Sequence, residues 1–368
     1  MRLVFIRSKV HSTVFEGQEH AVPELDRAAL ESMKISAKAG SSSKNIIFGL
    51  QKHKLVSAAE EWKFWGGAYH EIIAPGQLNT KLFPCNQREL SSALADRIAA
   101  HGQPDILWVE GTEFPPYLRQ IFELCPKSFK MVYSKEWRPW NIEHLELYHL
   151  CLVDEEKQRK KVNSRYPHVQ CEIWDKLIDY DGAHRPLALE KIYDVCYVAY
   201  LRERKNHELL FHALAQLPER NLRCVCVGDD RRGYRAELER LAADLKLDVH
   251  FTGEVLKEDV NYYINQSRMG VMCSVMDAVP RAILEYMAAD VPTLANAYLV
   301  AGTRYLGLQA GLVKRPEDFH LGLAEILDNL PRFSPRAYYL KHYSFERIMS
   351  KFIGILREAG CPLRHAAV

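Results

Sequence analysis

The chain has 368 residues, of which 48% are hydrophobic and 26% charged. This composition excludes disordered and collagen-like proteins and suits two domains of roughly 150 residues each. Its 49 Lys and Arg residues against 47 Asp and Glu residues give a net charge of +2, which argues against a dedicated nucleic-acid-binding protein. No apolar run reaches the roughly 20 residues of a transmembrane helix, and the first hydrophobic stretch is too short for a signal peptide. We therefore expect a cytoplasmic protein.

The nine cysteines form no Cys-x-x-Cys pair and no Cys/His cluster with the spacing of a zinc site. Several of them, including Cys196, Cys224 and Cys226, lie in apolar stretches. We expect buried thiols that stay reduced.

The first half of the chain alternates short apolar runs with segments of helical period, the pattern of parallel strands joined by crossover helices. Strands are predicted at Leu3–Ile6, Asp105–Val109, Lys130–Tyr133 and Leu150–Val153, and helices at Glu89–His101 and Pro116–Cys125. Residues 8–80 are less regular. Within them, residues 34–54 carry several lysines and no acidic side chain, which indicates a solvated loop or, alternatively, a segment that docks on an anionic membrane surface.

The second half shows the same alternation more regularly, after a turn-rich segment at Asp179–Pro186 that we interpret as the interdomain linker. Strands are predicted at Asp194–Tyr200, Arg223–Val227, Val249–Gly253, Met269–Cys273 and Thr293–Asn296, and helices at His207–Gln216, Tyr234–Leu245, Asp259–Asn265 and Arg281–Ala289. This pattern is typical of a doubly wound α/β domain, in which ligands bind beyond the carboxyl ends of the strands.

Two of these strand ends carry the chemistry that a nucleotide diphosphate sugar requires. Arg202, Arg204 and Lys205 follow the first strand and supply cations for a diphosphate. The segment Ser274–Glu285 supplies carboxylates for hydroxyl groups and the start of a helix, whose free amides favour an anion. Taken singly, each charged loop is more typical of a solvated surface, so the interpretation depends on their order.

The order and spacing of these segments resemble the donor domain of the retaining, GT-B-fold glycosyltransferases of family 4. The family pattern is G-R-L-x-x-x-K-G/N, V-G-x-G, F-x-G-x-V, a Ser, E-x7-E and A-x-A-x-G-x-P-V. It corresponds here to Val198–Asn206, Val227–Asp230, Phe251–Val255, Ser274, Asp277-x7-Glu285 and Tyr286–Thr293.

The resemblance covers about residues 194–330 and implies an α/β fold of the GT-B type, with two Rossmann-like doubly wound domains facing across a cleft. Residues 1–182 would form the acceptor-binding domain and residues 187–342 the donor-binding domain. The helix at residues 343–368 would pack back on the first domain.

The resemblance also implies roles for individual residues. Lys205 corresponds to the lysine that binds the donor diphosphate, Glu285 to the carboxylate that accepts hydrogen bonds from the ribose, and Asp277 to the residue that holds the hydroxyls of the transferred sugar. The other donor-binding residues that it implies are Tyr200, Arg202, Arg204, Gly228, Gly253, Glu254, Val255, Ser274, Ala278, Val279, Pro280 and Arg281.

Three positions depart from the family pattern. Tyr200 replaces the arginine of G-R-L, so Arg202 or Arg204 must supply that charge. Asp277 is one methylene shorter than glutamate, so the resemblance does not define the transferred sugar. Asp290 replaces the usual glycine after the last helix of the motif, and Asp tolerates the positive φ that glycine adopts.

The first half offers candidates for contact with the acceptor or the reacting sugar. Glu110 follows a predicted strand, and Lys135 and Glu136 lie where the family has a His-Asp pair, although an ordinary solvated loop explains each of them equally well. Lys205, Asp277, Glu110 and Glu136 form the predicted catalytic set.

Other residues of the first half fit more than one role. Arg7 or Lys9 would supply charge near phosphates. The tryptophans at positions 137, 140 and 174 either stack on sugars or pack between domains. The basic run Lys157–Lys161 indicates a solvated helix face or, alternatively, a contact with a membrane or an acceptor phosphate.

The sequence thus predicts an enzyme that transfers a hexose-type sugar, with retention, from a UDP- or GDP-linked donor to an acceptor hydroxyl. The acceptor is a polysaccharide, a lipid-linked sugar or a small molecule. No Asp-x-Asp sequence follows a strand as a metal–diphosphate bridge requires, so we expect no metal and no other cofactor, with Lys, Arg and a helix dipole stabilising the leaving group. Weak peripheral association with the inner face of the membrane is a further expectation.

Two alternatives keep the fold and change the function. One is a nucleotide-sugar epimerase or phosphorylase, which the E-x7-E-like segment disfavours. The other is a non-catalytic protein that binds nucleotide sugars, which the replacements at Tyr200 and Asp277 favour.

Overall fold

The structure, a computed structural model, describes residues 1–7, 41–65, 67–73, 76–85, 90–111, 117–134, 138–179, 182–230, 233–275, 277 and 281–363. The chain divides into two compact units. The first comprises Met1–Asp175 together with Met349–Val368, and the second comprises Lys176–Ile348. Each unit is built around one sheet of mainly parallel strands.

The sheet of the first unit has eight described strands. They are β1 (Arg2–Arg7), β2 (Ala58–Trp65), β3 (His70–Ile72), β4 (Asn79–Pro84), β5 (Ile106–Gly111), β6 (Phe129–Ser134), β7 (Leu150–Val153) and β8 (Gln170–Ile173). Their order is β3-β4-β2-β1-β5-β6-β7-β8, and every neighbouring pair is parallel except β3 and β4. The four strands predicted for this half are confirmed. The others are not among the predicted strands because polar and charged residues interrupt their apolar runs.

The described helices of the first unit are α1 (Ser42–Lys52), α2 (Ser92–His101), α3 (Leu118–Leu124) and α4 (Glu156–Arg165). Helix α1 corrects the expectation of a solvated loop at residues 34–54, of which residues 34–40 lie outside the described ranges. The Ser41 side chain caps α1 by accepting a hydrogen bond from the backbone N of Lys44 at 3.2 Å, and Ile46 is buried. The surrounding serines and lysines hide the helical spacing of its apolar residues.

An aromatic cluster lies in the core of the first unit. The ring of Trp108 stacks on that of Phe352 with 5.5 Å between centroids, and the ring of Trp174 lies 5.7 Å from Trp108. Phe352 comes from the last helix of the chain (Phe345–Glu358). Trp174 is 1% exposed, and its ring contacts with Trp108, Tyr133 and Phe352 lie within the first unit.

The sheet of the second unit has six described strands, all parallel, in the order β11-β10-β9-β12-β13-β14. They are β9 (Tyr193–Val198), β10 (Arg223–Val227), β11 (Asp248–Gly253), β12 (Ser267–Met272), β13 (Thr293–Asn296) and β14 (Gly311–Lys314). The helices are α5 (His207–Ala215), α6 (Arg235–Asp244), α7 (Lys257–Asn265), α8 (Arg281–Ala288), α9 (Phe319–Asp328) and α10 (Pro335–Tyr343). Every strand and helix predicted between residues 194 and 296 is confirmed, because the strands other than β11 are short, mostly buried runs and each helix keeps its apolar spacing.

Two other expectations concern the whole chain. The nine cysteines are all free and buried, as predicted. Within the described ranges, no helix is long and apolar enough to cross a membrane.

Candidate functional site

Four segments of the second unit lie side by side at the carboxyl edge of its sheet. They follow β9, β10, β11 and β12, which are neighbouring parallel strands and therefore end at the same edge. We call these segments the strand-end site. Its described residues are 199–206, 228–230, 253–255, 274, 275, 277 and 281–285. The predicted donor-binding residues Ala278, Val279 and Pro280 lie outside the described residues.

The loop after β9 fixes the backbone of Lys205. Residues Glu203–Lys205 form one turn of 3₁₀-helix, and the hydroxyl of the buried Tyr197 donates a hydrogen bond to the carbonyl oxygen of Lys205 at 2.6 Å. Asn206 follows with φ 54° and caps α5, because its side chain accepts a hydrogen bond from the backbone N of Leu209 at 3.3 Å. The left-handed backbone explains why the family pattern has Gly or Asn at this position.

Two of the predicted catalytic residues contact each other directly. The ammonium group of Lys205 forms an ion pair with a carboxylate oxygen of Asp277, and the two side chains are 12% and 19% exposed. Lys205 follows β9 and Asp277 follows β12, which are adjacent in the sheet. The carboxylate therefore neutralises Lys205, and an incoming anion must compete with it.

Two arginines accompany Tyr200 at the end of β9. Tyr200 is 43% exposed, and the guanidinium carbon of Arg202 lies 5.8 Å from the centroid of its ring. The Nε of Arg202 is buried and has no hydrogen-bond partner, whereas Arg204 is exposed. Arg202 thus lies beside the tyrosine that replaces the family's arginine.

Two glycines allow the ends of β9, β10 and β11 to approach closely. A Cβ atom on Gly228 would lie 2.1 Å from the carbonyl oxygen of Ala199, so a larger residue would force the backbone apart. Gly253 has φ +72°, which favours glycine, and it pairs with Gly228. Glu254 is exposed and Val255 is half-buried beside them.

Ser274 lies directly after β12, at the position of the family's serine. It is fully buried, and its hydroxyl has no hydrogen-bond partner. A buried hydroxyl without a partner costs free energy unless something else bonds to it. This makes Ser274 a candidate for contact with a ligand.

Glu285 is buried on α8 and lies near two basic side chains. Nη2 of Arg281, one turn earlier, is 3.5 Å from its Oε1 atom, and Nε2 of His184 is 3.9 Å from the same oxygen. The other ring nitrogen of His184, Nδ1, lies 3.4 Å from Oδ2 of Asp179. His184 therefore separates two carboxylates and is itself 3% exposed.

The segment that carries His184 is held firmly against α8. The carboxylate of Asp179 accepts hydrogen bonds from the backbone N of Gly182 at 3.0 Å and from that of His184 at 2.5 Å. Arg336 donates hydrogen bonds to the carbonyl oxygens of His184 and Ala288. From the sequence, this segment is predicted only to be a linker. Its one local signal is Asp179 three residues before Gly182, because an Asp side chain accepts hydrogen bonds from nearby backbone N–H groups in turns.

A second buried histidine lies next to Lys205. His207 packs against Tyr197 with 4.6 Å between ring centroids, and neither ring nitrogen has a hydrogen-bond partner. Burial, with a smaller effect of the Lys205 charge, lowers the pKa of His207 from its ordinary value to about 3. This histidine is neutral at pH 7 and adds no charge to the site. Among the described residues, no three His, Cys, Asp or Glu side chains converge to hold a metal ion.

Residues 193–330 match the family model of glycosyl transferases group 1. The match covers every described residue of the strand-end site. It begins after His184 and ends before Arg336, so neither of these residues is part of it.

Solved structures with the same fold cover nearly the whole chain. The sucrose-phosphate synthase of Thermosynechococcus elongatus is 15% identical, with a TM-score of 0.65 over 97% of this chain and 98% of its own. Anabaena HepE, solved with UDP, is 12% identical, with a TM-score of 0.68 over 97% and 100%. A glycosyltransferase from Rickettsia africae is 14% identical, with a TM-score of 0.65 over 98% and 99%. The chain therefore has the GT-B fold of glycosyltransferases. Among curated protein sequences, none matches it.

In the first unit, the predicted catalytic residue Glu110 lies near the end of β5. It is 2% exposed, and the hydroxyl of Ser43 on α1 donates a hydrogen bond to its carboxylate. A solvated loop is therefore excluded as the explanation of Glu110. The other predicted residues of this edge, Lys9, Lys135, Glu136 and Trp137, lie outside the described residues.

Glu110 is part of a buried group of charges that we call the first-unit charge cluster, formed by Arg7, Lys44, Glu61, Lys63 and Glu110. A carboxylate oxygen of Glu61 lies 3.0 Å from Nζ of Lys44, and its other oxygen lies 3.4 Å from Nε of Arg7. Burial acts to raise the pKa of Glu61, but the charges of Lys63, Lys44 and Arg7 together lower it below its usual value. Burial lowers the pKa of Lys44, although Glu61 acts in the opposite direction.

Lys63 is a buried member of the cluster whose ammonium group has no hydrogen-bond partner among the described residues. Its side chain is 1% exposed and its Nζ is unpaired. Burial lowers its pKa from 10.5 to about 8, although the charge of Glu61 acts against this. No residue of this cluster except Arg7 and Glu110 is among the predicted site residues.

Proposed function

We propose that the chain is a glycosyltransferase that moves a hexose-type sugar from a UDP- or GDP-linked donor to an acceptor hydroxyl, with retention of configuration. The observation that carries the proposal is the joint position of Lys205, Asp277 and Glu285 at one sheet edge. This edge lies within the segment that matches glycosyl transferases group 1. Anabaena HepE, whose fold is similar, was solved with UDP and with UDP and glucose.

In this proposal, the strand-end site binds the donor. Lys205 contacts the diphosphate after leaving Asp277, and Asp277 then accepts hydrogen bonds from the hydroxyls of the transferred sugar. The carboxylate of Glu285, held near Arg281 and His184, accepts hydrogen bonds from the ribose hydroxyls. Helix α8 begins at this edge and places its positive end near the diphosphate.

The proposed reaction breaks the bond between the anomeric carbon and the diphosphate oxygen and forms a bond to the acceptor oxygen on the same face. The leaving diphosphate takes the acceptor's proton. Lys205 and the start of α8 stabilise the negative charge that develops on the diphosphate, so the proposal requires no metal ion. The first unit would bind the acceptor, with Glu110 and Glu136 as its candidate contacts.

The alternative of a non-catalytic protein that binds nucleotide sugars is favoured by two observations. Asp277 is paired with Lys205, and Tyr200 stands in place of a cationic side chain. In such a protein the nucleotide would bind, but the sugar would not be released from it.

Incubation with a panel of UDP- and GDP-sugars tests the proposal, with release of the nucleoside diphosphate as the readout. We expect release by the wild type, with or without an added acceptor, and its loss in Glu285→Gln. Arg223→Ala is the matched control, because Arg223 begins β10 at the opposite edge of the same sheet. Nucleotide binding without release would support the non-catalytic alternative. Failure of every donor to bind or to be cleaved would contradict both.

A further inference from the structure

The first unit contains a groove that brings Trp140 together with lysines of the basic run Lys157–Lys161. Two cavities of 690 and 470 Å³ both have Trp140 and Lys157 in their walls. Arg138 and Glu155 line one cavity, and Glu156, Lys160 and Lys161 line the other. We call this surface the Trp140 groove and define it by these seven residues.

The groove lies at the carboxyl edge of the first sheet. Trp140 belongs to a 3₁₀ turn (Pro139–Asn141) that follows β6, and the lysines belong to α4, which follows β7. Because β6 and β7 are parallel neighbours, both segments begin at the same edge. Ligands of open α/β sheets bind at this edge.

The groove has four cationic side chains against the carboxylates of Glu155 and Glu156, so it keeps a net positive charge. The side chains of Arg138, Lys157, Lys160 and Lys161 form no ion pair with any described residue. Of the two carboxylates, that of Glu156 is engaged by Nη2 of Arg159 at 2.8 Å. Most cations of the first-unit charge cluster, in contrast, lie against a carboxylate. The groove therefore suits a ligand with several negative charges.

Trp140 gives the groove an apolar wall. Its side chain is half-buried and packs against the hydrophobic core of the unit, so the core fixes its position. An aromatic ring suits the C–H face of a sugar, whereas an inorganic anion gains little from it. The combination of a fixed indole with four unpaired cations matches a sugar chain that carries acidic groups.

A lipid surface fits this part of the molecule less well. A helix that binds in the membrane interface buries an apolar face in the lipid. The buried residues of α4 are Gln158 and Val162, and the helix exposes no large apolar side chain. Its basic surface therefore has no apolar face to offer to a bilayer.

We propose that the Trp140 groove binds an acidic oligosaccharide, with a sugar ring on Trp140 and its carboxylate, sulfate or phosphate groups on Arg138 and the lysines of α4. We further propose that this oligosaccharide is the acceptor of the reaction, a role that rests on the proposed glycosyltransferase function. The acceptor would then belong to the class of anionic glycans. The binding itself takes place in the first unit and does not depend on the donor.

The test compares the binding of oligogalacturonate with that of an uncharged gluco-oligosaccharide of equal length to the full chain, at low and at high salt. We expect the uncharged chain to bind at least about tenfold more weakly and the binding of oligogalacturonate to fall as salt rises. Trp140→Ala and the double variant Lys160→Gln/Lys161→Gln should each weaken it about tenfold. Trp140→Phe should keep most of it.

Lys127→Gln is the matched control, because Lys127 is exposed before β6 at the opposite edge of the sheet. The proposal is overturned if both oligosaccharides bind equally, if neither binds, or if Trp140→Ala binds as the wild type does. Binding to anionic phosphatidylglycerol vesicles or to single-stranded DNA in preference to oligogalacturonate would also overturn it. Binding of UDP and GDP, measured on the same samples, reports on the second unit. If the wild type binds neither nucleotide, the proposed function is contradicted, but the result for oligosaccharide binding in the groove still holds.

Discussion

The strand-end site of the second unit and the first-unit charge cluster hold their charges in different ways. In the second unit, Lys205 and Asp277 form a partly exposed ion pair between neighbouring loops. In the first unit, Lys44 and Glu61 form an ion pair that is almost completely buried, beside the unpaired Lys63. A partly exposed pair can exchange its partner for a ligand at low cost, whereas a buried cluster is fixed and carries a desolvation penalty. We therefore interpret the Lys205–Asp277 pair as exchangeable and the first-unit charge cluster as a rigid support.

The largest expected effect comes from removing the exchangeable cation. Lys205→Ala should lower kcat/KM for the donor about a hundredfold, ~3 kcal/mol of transition-state stabilisation, because the charge on the leaving diphosphate loses its partner. Steady-state kinetics with the best donor of the panel measures this, with Arg223→Ala as the control. Unchanged kinetics in Lys205→Ala would mean that the strand-end site is not the place where the diphosphate binds.

A pH effect on stability should come from the neutral histidine beside Lys205. An unfolded chain protonates this histidine near pH 6.5, but the folded chain protonates it only near pH 3. The unfolded state thus binds more protons between these values, and the free energy of unfolding should fall as the pH drops, by about 3 kcal/mol at about pH 4. His207→Phe should remove this part of the pH dependence, measured by urea unfolding and far-UV circular dichroism.

The exposed His212 of α5 provides the matched control for that experiment. His212→Gln should leave the pH dependence as in the wild type. A His207→Phe variant with the same pH dependence as the wild type would contradict the assignment of the effect to His207.

The buried cation of the first unit should reduce stability. Lys63→Met should raise the free energy of unfolding by about 2 kcal/mol at pH 7, because the charged amine is disfavoured in the folded state. Its pKa of about 8 lies below the unfolded value of 10.5, so the wild type gains stability as the pH rises between these values. The difference in the free energy of unfolding between Lys63→Met and the wild type should therefore shrink as the pH rises from about 8 to 10.5. All six tryptophans lie between positions 62 and 174, so tryptophan fluorescence follows the unfolding of this unit alone.

Lys127→Met, at an exposed position, is the control for Lys63→Met and should change stability little. A destabilised Lys63→Met would show that Lys63 supports the cluster rather than strains it. The contrast between a costly charge cluster in the first unit and an exchangeable ion pair in the second would then be wrong.

The smallest effect should come from the partner of Lys205. Asp277→Asn removes the carboxylate with which a diphosphate competes, so free UDP or GDP should bind a few-fold more tightly, ~1 kcal/mol or less for a partly exposed pair. Turnover of the donor should fall at the same time, because an amide accepts weaker hydrogen bonds from the sugar hydroxyls than a carboxylate does. Calorimetric titration and kinetics on the same variant separate the two effects. Weaker nucleotide binding by Asp277→Asn would contradict competition within the pair.

The second unit could be predicted from the sequence because its information is local. The four short strands β9 to β12 are each followed at once by residues that form the site, so the common edge of these residues follows from the parallel topology alone. Special backbone positions also have sequence signals: Asn206 with φ 54° and Asp290 with φ 62° are residues that tolerate this conformation.

The first-unit charge cluster could not be predicted, because it is assembled from distant parts of the chain. Glu61 and Lys63 lie in a strand with the sequence AAEEWKFW, in which charged residues normally indicate a solvated face. Lys44 belongs to a stretch rich in serine and lysine that resembles a loop. Only the packing of α1 against β2 brings these side chains together. His184 was missed for the same reason, because its contact with Glu285 spans about a hundred residues of sequence.

The most direct test of the central claim is an experimental structure of the full chain with UDP or GDP bound. It should show a diphosphate oxygen within hydrogen-bonding distance of Nζ of Lys205, with Asp277 released, and ribose hydroxyls on the carboxylate of Glu285. A nucleotide bound elsewhere, with the Lys205–Asp277 pair intact, would contradict the assignment of the strand-end site as the donor site.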